Sequence, residues 1–243
     1  MKRYHYFLLA LLFTACDSGN IVEQATQDRS SERVVKLNAT VTGMTDLAEQ
    51  YTFALAMFKP GDNYALTVHS IPATTEDGAE VNIVAPIASS EVSTVELAIV
   101  NRLRQRVITL ANINMDDYAD VTDTIRLTVG TVNVGMFDII QQNIFNTSCI
   151  QCHGIGGGSG AAGLNLTEGH SLANLKDVAS TRKDGMFRIV SGSANQSLLH
   201  QILAEGGEDI LHYNHTEVLS SQFKNDVAAV RTFIDDWIND LRK

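Results

Sequence analysis

Cys149-Ile150-Gln151-Cys152-His153 decides how this chain is read. Two thiols three positions apart, followed at once by an imidazole, form the C-x-x-C-H pattern of covalent haem c attachment. Each thiol adds to a haem vinyl group, and the adjacent His153 is then held beneath the iron as its proximal ligand. A structural zinc site would need about two more Cys or His ligands at matching spacing, and no second C-x-x-C or H-x-x-x-H pair occurs. A thioredoxin-like redox pair belongs at the end of a strand in a βαβ unit, whereas the residues before Cys149 have a helical pattern. The reading therefore implies one haem c, attached through Cys149 and Cys152.

Upstream, the chain begins with a basic start, Lys2-Arg3, and a short apolar run, Phe7 to Phe13, too short to span a bilayer. It reads as an export signal over residues 1–15. The run closes on Phe13-Thr14-Ala15-Cys16, which resembles the lipobox of bacterial lipoproteins, with Phe13 where Leu is usual. That resemblance implies cleavage before Cys16 and acylation of it, so that several acyl chains together anchor the protein to a membrane. Asp17 resembles an inner-membrane retention signal. Residues 16–32, rich in Ser, Gln, Asn and charge, read as a flexible tether. The expected location is exported and lipid-anchored, on the periplasmic side or the outer surface. With one cysteine lipidated and two on haem, none of the 3 cysteines is left for a disulfide.

A formal charge of −10 excludes nucleic acid as a natural partner and favours redox partner proteins with basic docking surfaces.

From residue 33 to 130 apolar residues alternate, as in Val35/Leu37/Ala39/Val41, Tyr51/Phe53/Leu55/Met57, Tyr64/Leu66/Val68 and Val95/Leu97/Ile99. Period two means strands. With Val81–Ala85, Arg106–Ala111 and Thr124–Val129 and the turn residues between them, about seven strands predict a β-sandwich-like domain. Nothing in this half is catalytic in pattern.

From residue 131 to 243 the pattern becomes helical. Phe137, Ile140 and Ile144 lie on one face of a helix running into the cysteine motif, and Phe223, Val227, Val230, Ile234, Trp237, Ile238 and Leu241 stripe a helix from Leu219 to Lys243, capped by Ser220 or Ser221. Residues 137–243 resemble a monohaem class I c-type cytochrome domain. The resemblance rests on Ile144 to Gly154, then Ala162-Gly163-Leu164-Asn165-Leu166, Ser197-Leu198-Leu199 and Phe233 to Ile238, and it covers under half of the chain. It implies an all-α cytochrome c-like domain behind the β-domain, with Ile140 and Ile144 packed on Phe233 and Trp237.

The family usually supplies a distal methionine in a Met-Pro pair, and no such pair occurs here. Asp209-Ile210-Leu211-His212-Tyr213-Asn214-His215 occupies the corresponding segment. Counting back from Leu219 puts the family's methionine near position 212, so His212 is the first candidate for distal ligand and His215 the alternative. Met186, His170 and His200 follow. The function expected is a single-electron carrier rather than a catalyst. The alternative is a haem-containing binding or sensor lipoprotein, its β-domain on a partner and its distal iron site open or labile.

Overall fold

The computed structural model describes residues 33–87, 89–155, 161–204, 207–211 and 213–241, and Glu32–Lys243 form one compact unit. The leader, Cys16, the tether and His212 lie outside the described residues.

Seven strands build two sheets: β1 (Val34–Thr42), β2 (Tyr51–Phe58), β3 (Thr67–Ser70), β4 (Ala79–Pro86), β5 (Thr94–Asn101), β6 (Arg106–Asn114) and β7 (Thr124–Asn133). The three-stranded sheet has the order β4-β1-β7, and the four-stranded sheet β3-β2-β5-β6. All pairings are antiparallel except β1 with β7, which run parallel and shift register between Asn38 and Thr40. β1 alternates as its sequence does, burying Val35, Leu37, Ala39 and Val41.

β2 and β5 are the central strands of their sheet and are buried on both faces. Phe53, Leu55, Met57, Leu97 and Ile99 join the main core. Ala56, Phe58 and Val100 form a small cluster on the other face. Glu96, in register with Ala56, is buried there too. Arg106 answers it with a bidentate ion pair, Nε to Oε2 at 2.8 Å and Nη2 to Oε1 at 2.7 Å, and lies 4.0 Å over the Phe58 ring. Thr94 and Thr109 hydroxyls donate to the remaining lone pairs of Glu96, at 2.8 and 2.6 Å. A buried carboxylate is tolerated only when paired and hydrogen-bonded in this way.

The expectation of an all-α cytochrome c-like domain after residue 130 is overturned: the structure is mostly β-sheet, with a few helices near its C-terminal end. These are α1 (Met136–Ile140), which continues as a π-helical segment (Gln141–Cys149), α2 (Ile150–His153), α3 (Ser171–Leu175), α4 (Leu198–Leu203), α5 (Glu208–Leu211), α6 (His215–Phe223) and α7 (Val227–Asp240). Of these only α7 exceeds nine residues. The rest are short and pack mainly on one another and on α7, which in turn meets β6.

Thus Ile139, Ile140, Ile144, Phe233 and Trp237 belong to the same cluster as Val35, Leu37 and Phe53. Tyr51 of β2 meets Phe233 edge-on at 4.8 Å and donates its hydroxyl to Asp236 at 2.6 Å. Between α1 and α7 the ring contact is Phe137 stacked on Trp237 at 5.4 Å.

The single helix expected from Leu219 to Lys243 is two. α6 ends where Lys224 takes φ 48°, a left-handed value, and a 3-10 turn, Lys224–Asp226, leads into α7. That turn meets the second face of the four-stranded sheet, where Asp226 accepts from Arg106 at 3.4 Å.

Candidate functional site

The cysteine motif sits on α2 and on the last residue of the π-helical segment before it. That segment carries the short polar residues Asn143, Asn146, Thr147 and Ser148, and side chains among them bond back to backbone carbonyls: Asn143 Nδ2 to Ile139 O at 3.0 Å and Thr147 Oγ1 to Asn143 O at 2.7 Å. Such side-chain competition loosens regular α-helical geometry, and π turns concentrate at functional sites. Its inner side is held by the buried Gln141, which donates to Leu166 O at 3.0 Å and accepts from the Ser171 hydroxyl.

Cys149 and Cys152 are free thiols, the first half-buried and the second exposed. Burial pushes the Cys149 thiol up to about 12, with the Cys152 thiol adding to the shift. Nucleophilic redox thiols show the opposite displacement, whereas a thioether sulfur carries no charge and is at ease where Cys149 lies. Gly154 closes the helix directly after His153. A Cβ there would stand 2.7 Å from Ile150 O, so only glycine fits without a shift of backbone.

His153 is fixed at ring and backbone. Its Nδ1 lies 3.2 Å from Ala161 O, and its own carbonyl accepts from Leu166 N at 2.7 Å. Ala161 precedes two left-handed residues, Ala162 and Gly163. The Ala162 carbonyl accepts from Arg188 Nη2 and from the Thr181 hydroxyl, each at 3.0 Å, which fixes the turn that orients the histidine.

The structure brings one further sequence candidate to this histidine. The rings of His153 and His215 lie 6.5 Å apart, centroid to centroid, with planes 17° from parallel. His215 opens α6, whose N-cap Asn214 accepts from Glu217 N at 2.9 Å. Its Nδ1 is 3.2 Å from Tyr213 O, and the Tyr213 ring packs edge-on against it at 4.9 Å. A carbonyl only accepts, so in both histidines Nδ1 carries the proton and Nε2 keeps its lone pair. Burial lowers the pKa of both imidazoles, His153 and His215 alike, which favours the neutral, ligating form.

A metal–imidazole bond is about 2.0–2.1 Å long, so two such bonds in line use about 4 Å. One ring radius at each end accounts for most of the remaining separation. The centroid spacing of these two anchored imidazoles is thus of the size that a single ion shared between them would require. Among the described residues no group of three or more His, Cys, Asp or Glu could hold a bare metal ion. A haem, which brings ring nitrogens of its own, would ask only two donors of the chain, and His153 and His215 are the residues that would hold it. Exposed apolar side chains flank the pair in sequence: Ile155, 83% exposed, and Tyr213, 52% exposed. A porphyrin is the kind of surface they would cover.

The other candidates are engaged elsewhere. His200 pairs with Asp235 of α7, Nδ1 to Oδ1 at 2.8 Å. His170 is exposed just before α3. Met186 lies in the hairpin closed by the Ala179–Phe187 bridge, its carbonyl taken by Ser180 N.

Sequence reasoning misses the anchors, the carbonyls of Ala161 and Tyr213, because a backbone carbonyl leaves no residue-type signal. It also places the start of the last helix at Leu219, although Asn214-x-x-Glu217 carries the signal of a capped helix start at 215. Among the described residues no helix is long and apolar enough to cross a membrane. Set against family models, curated proteins and solved structures, the chain matches none.

Proposed function

We propose that this protein is a membrane-tethered, exported c-type electron carrier. One haem c is held through Cys149 and Cys152, with His153 as proximal ligand and His215 as the sixth. The observation that carries the reading is the 6.5 Å separation of two near-parallel imidazoles, both anchored through Nδ1. This supports His215 as the distal ligand; His212 lies outside the described residues. The haem supplies an iron that passes one electron at a time between its ferrous and ferric states.

The chain's residues do the remaining work. Ala161 O and Tyr213 O hold the two rings in the tautomer that ligates, and such outer hydrogen bonds fix orientation and strengthen the donor. Two imidazoles hold the iron at a lower potential than His/Met ligation would. With both axial positions filled by the chain, little rearrangement accompanies reduction, which suits transfer rather than turnover. The β-sheets carry the site, redox proteins with basic surfaces are the partners, and acylation of Cys16 supplies the membrane attachment.

The test is the visible spectrum of detergent-extracted protein, oxidised and reduced, with and without carbon monoxide, after denaturing extraction has shown that haem stays with the chain. Covalent haem with low-spin spectra that carbon monoxide alters only slowly is expected. Haem lost on denaturation would overturn the assignment of Cys149 and Cys152. His215→Ala is expected to become high-spin and carbon monoxide-reactive, and an unchanged spectrum would remove His215 from the iron.

A further inference from the structure

His215, Leu219 and Gln222 follow one another at four and three residues along α6, the spacing of a single helix face. Leu219 is buried in the common core, and His215 faces His153. Gln222 reaches across to the segment that leads into the cysteine motif. Its Nε2 donates to Asn143 O at 2.6 Å and to Thr147 Oγ1 at 3.0 Å, and its Oε1 accepts from Ser148 Oγ at 2.5 Å. One side chain thereby bonds to three polar residues, Asn143, Thr147 and Ser148, of the stretch that leads into Cys149.

The other end of α6 is tied elsewhere. Thr216 Oγ1 donates to Ala204 O at 2.9 Å, at the end of α4. Among the described residues, the hydrogen bonds that join α6 to the haem-binding segment are therefore those of Gln222.

We propose that Gln222 is a positioning residue for the sixth ligand: it latches α6 to the Asn143–Ser148 segment and so holds His215 within reach of the iron bound by His153. This rests on the haem reading above. Because the three bonds lie at an exposed side chain where water competes for each of them, the latch is the weak point at which the distal site opens.

The experiment compares the holoprotein with Gln222→Ala, Gln222→Glu and Ser221→Ala, measuring the rate at which carbon monoxide binds the ferrous form and the low-spin fraction of the ferric form. Gln222→Glu keeps the length of the side chain but cannot donate to Asn143 O or Thr147. Among the described residues Ser221 bonds within its own helix, to Val218 O, and serves as the control. Both Gln222 variants are expected to bind carbon monoxide several-fold faster than the parent and to gain high-spin character, with Ser221→Ala unchanged.

A purely structural role for Gln222 would lower the melting temperature and leave carbon monoxide binding as slow as in the parent, and that result would overturn the proposal. Equal acceleration in Ser221→Ala would overturn it as well. A parent without covalent haem, or one whose spectrum does not change in His215→Ala, would bring down the haem reading itself. A sound parent spectrum with unresponsive Gln222 variants would bring down the latch alone.

Discussion

Asp226 is a residue whose surroundings disagree with its charge. One oxygen meets Arg106 at 3.4 Å, and among the described residues the other, Oδ1, is buried without a hydrogen bond, although the Asn63 side chain also favours the charged form. Desolvation raises its pKa above the ordinary 3.8, and Arg106 opposes that shift without cancelling it. A carboxyl whose native pKa is raised binds its proton more tightly in the folded state. Its contribution to stability therefore falls as pH rises from 3.8 through the raised value, and above that value a constant penalty remains. Asp226→Asn is expected to melt no lower than the parent at pH 7. The gap between variant and parent should close on acidification through that window, read as melting temperature at a series of pH values. A variant that loses stability at pH 7, with the gap widening in acid, would reverse the sign assigned here. Legibility at this scale is uneven. Cys149, Cys152 and His153 declare themselves because three reactive side chains rarely fall within five positions by chance. Asp226 and Gln222 declare nothing, since their roles come from partners 120 and 79 residues away.

Among the elements, the strands are legible and the helices only in part. Alternation marks β1 because one of its faces is buried, and β2 and β5, buried on both, still carry aromatic and β-branched residues between turn signals. The C-terminal stripe reads as one helix because apolar periodicity continues from Phe223 into Val227, while the break between them is made by backbone geometry. Lys224 sits at φ 48° and ψ −111°, a conformation that side chains with a Cβ rarely adopt and that costs of order 1–3 kcal/mol. Glycine meets that conformation without the steric clash. Lys224→Gly is therefore expected to leave α6 and α7 in place and to raise the unfolding free energy by up to about 1 kcal/mol, the relief of strain being partly offset by the greater freedom of glycine in the unfolded chain. Denaturant melts of parent and variant decide it. A clear loss of stability would mean that the lysine side chain itself holds the turn.

Across the whole molecule, what cannot be read from sequence is that the β and helical halves share one core. Periodicity reports which face of an element is apolar, not which other element covers it. α7 would serve equally well in a helical bundle or on a sheet. The choice is made by Tyr51 with Phe233 and Asp236, and by Arg106, which joins the buried Glu96 of β5 to Asp226 ahead of α7. Because these contacts tie the site's helices to the sheets, unfolding of the sheets and loss of the proposed haem ligands should be one event. Arg106→Met removes the cation and leaves Glu96 buried beside two hydroxyls, and breaking a buried pair in this way costs about 3–5 kcal/mol. Far-ultraviolet circular dichroism and Soret absorbance are expected to melt together in the parent and, several degrees lower, together again in the variant. If the halves were independently stable, the dichroism of the sheets would move down while the haem transition stayed where it was. The shared core and the ion pair reaching from β6 to the head of α7 argue against that separation, and its appearance would show that they do not couple the two halves.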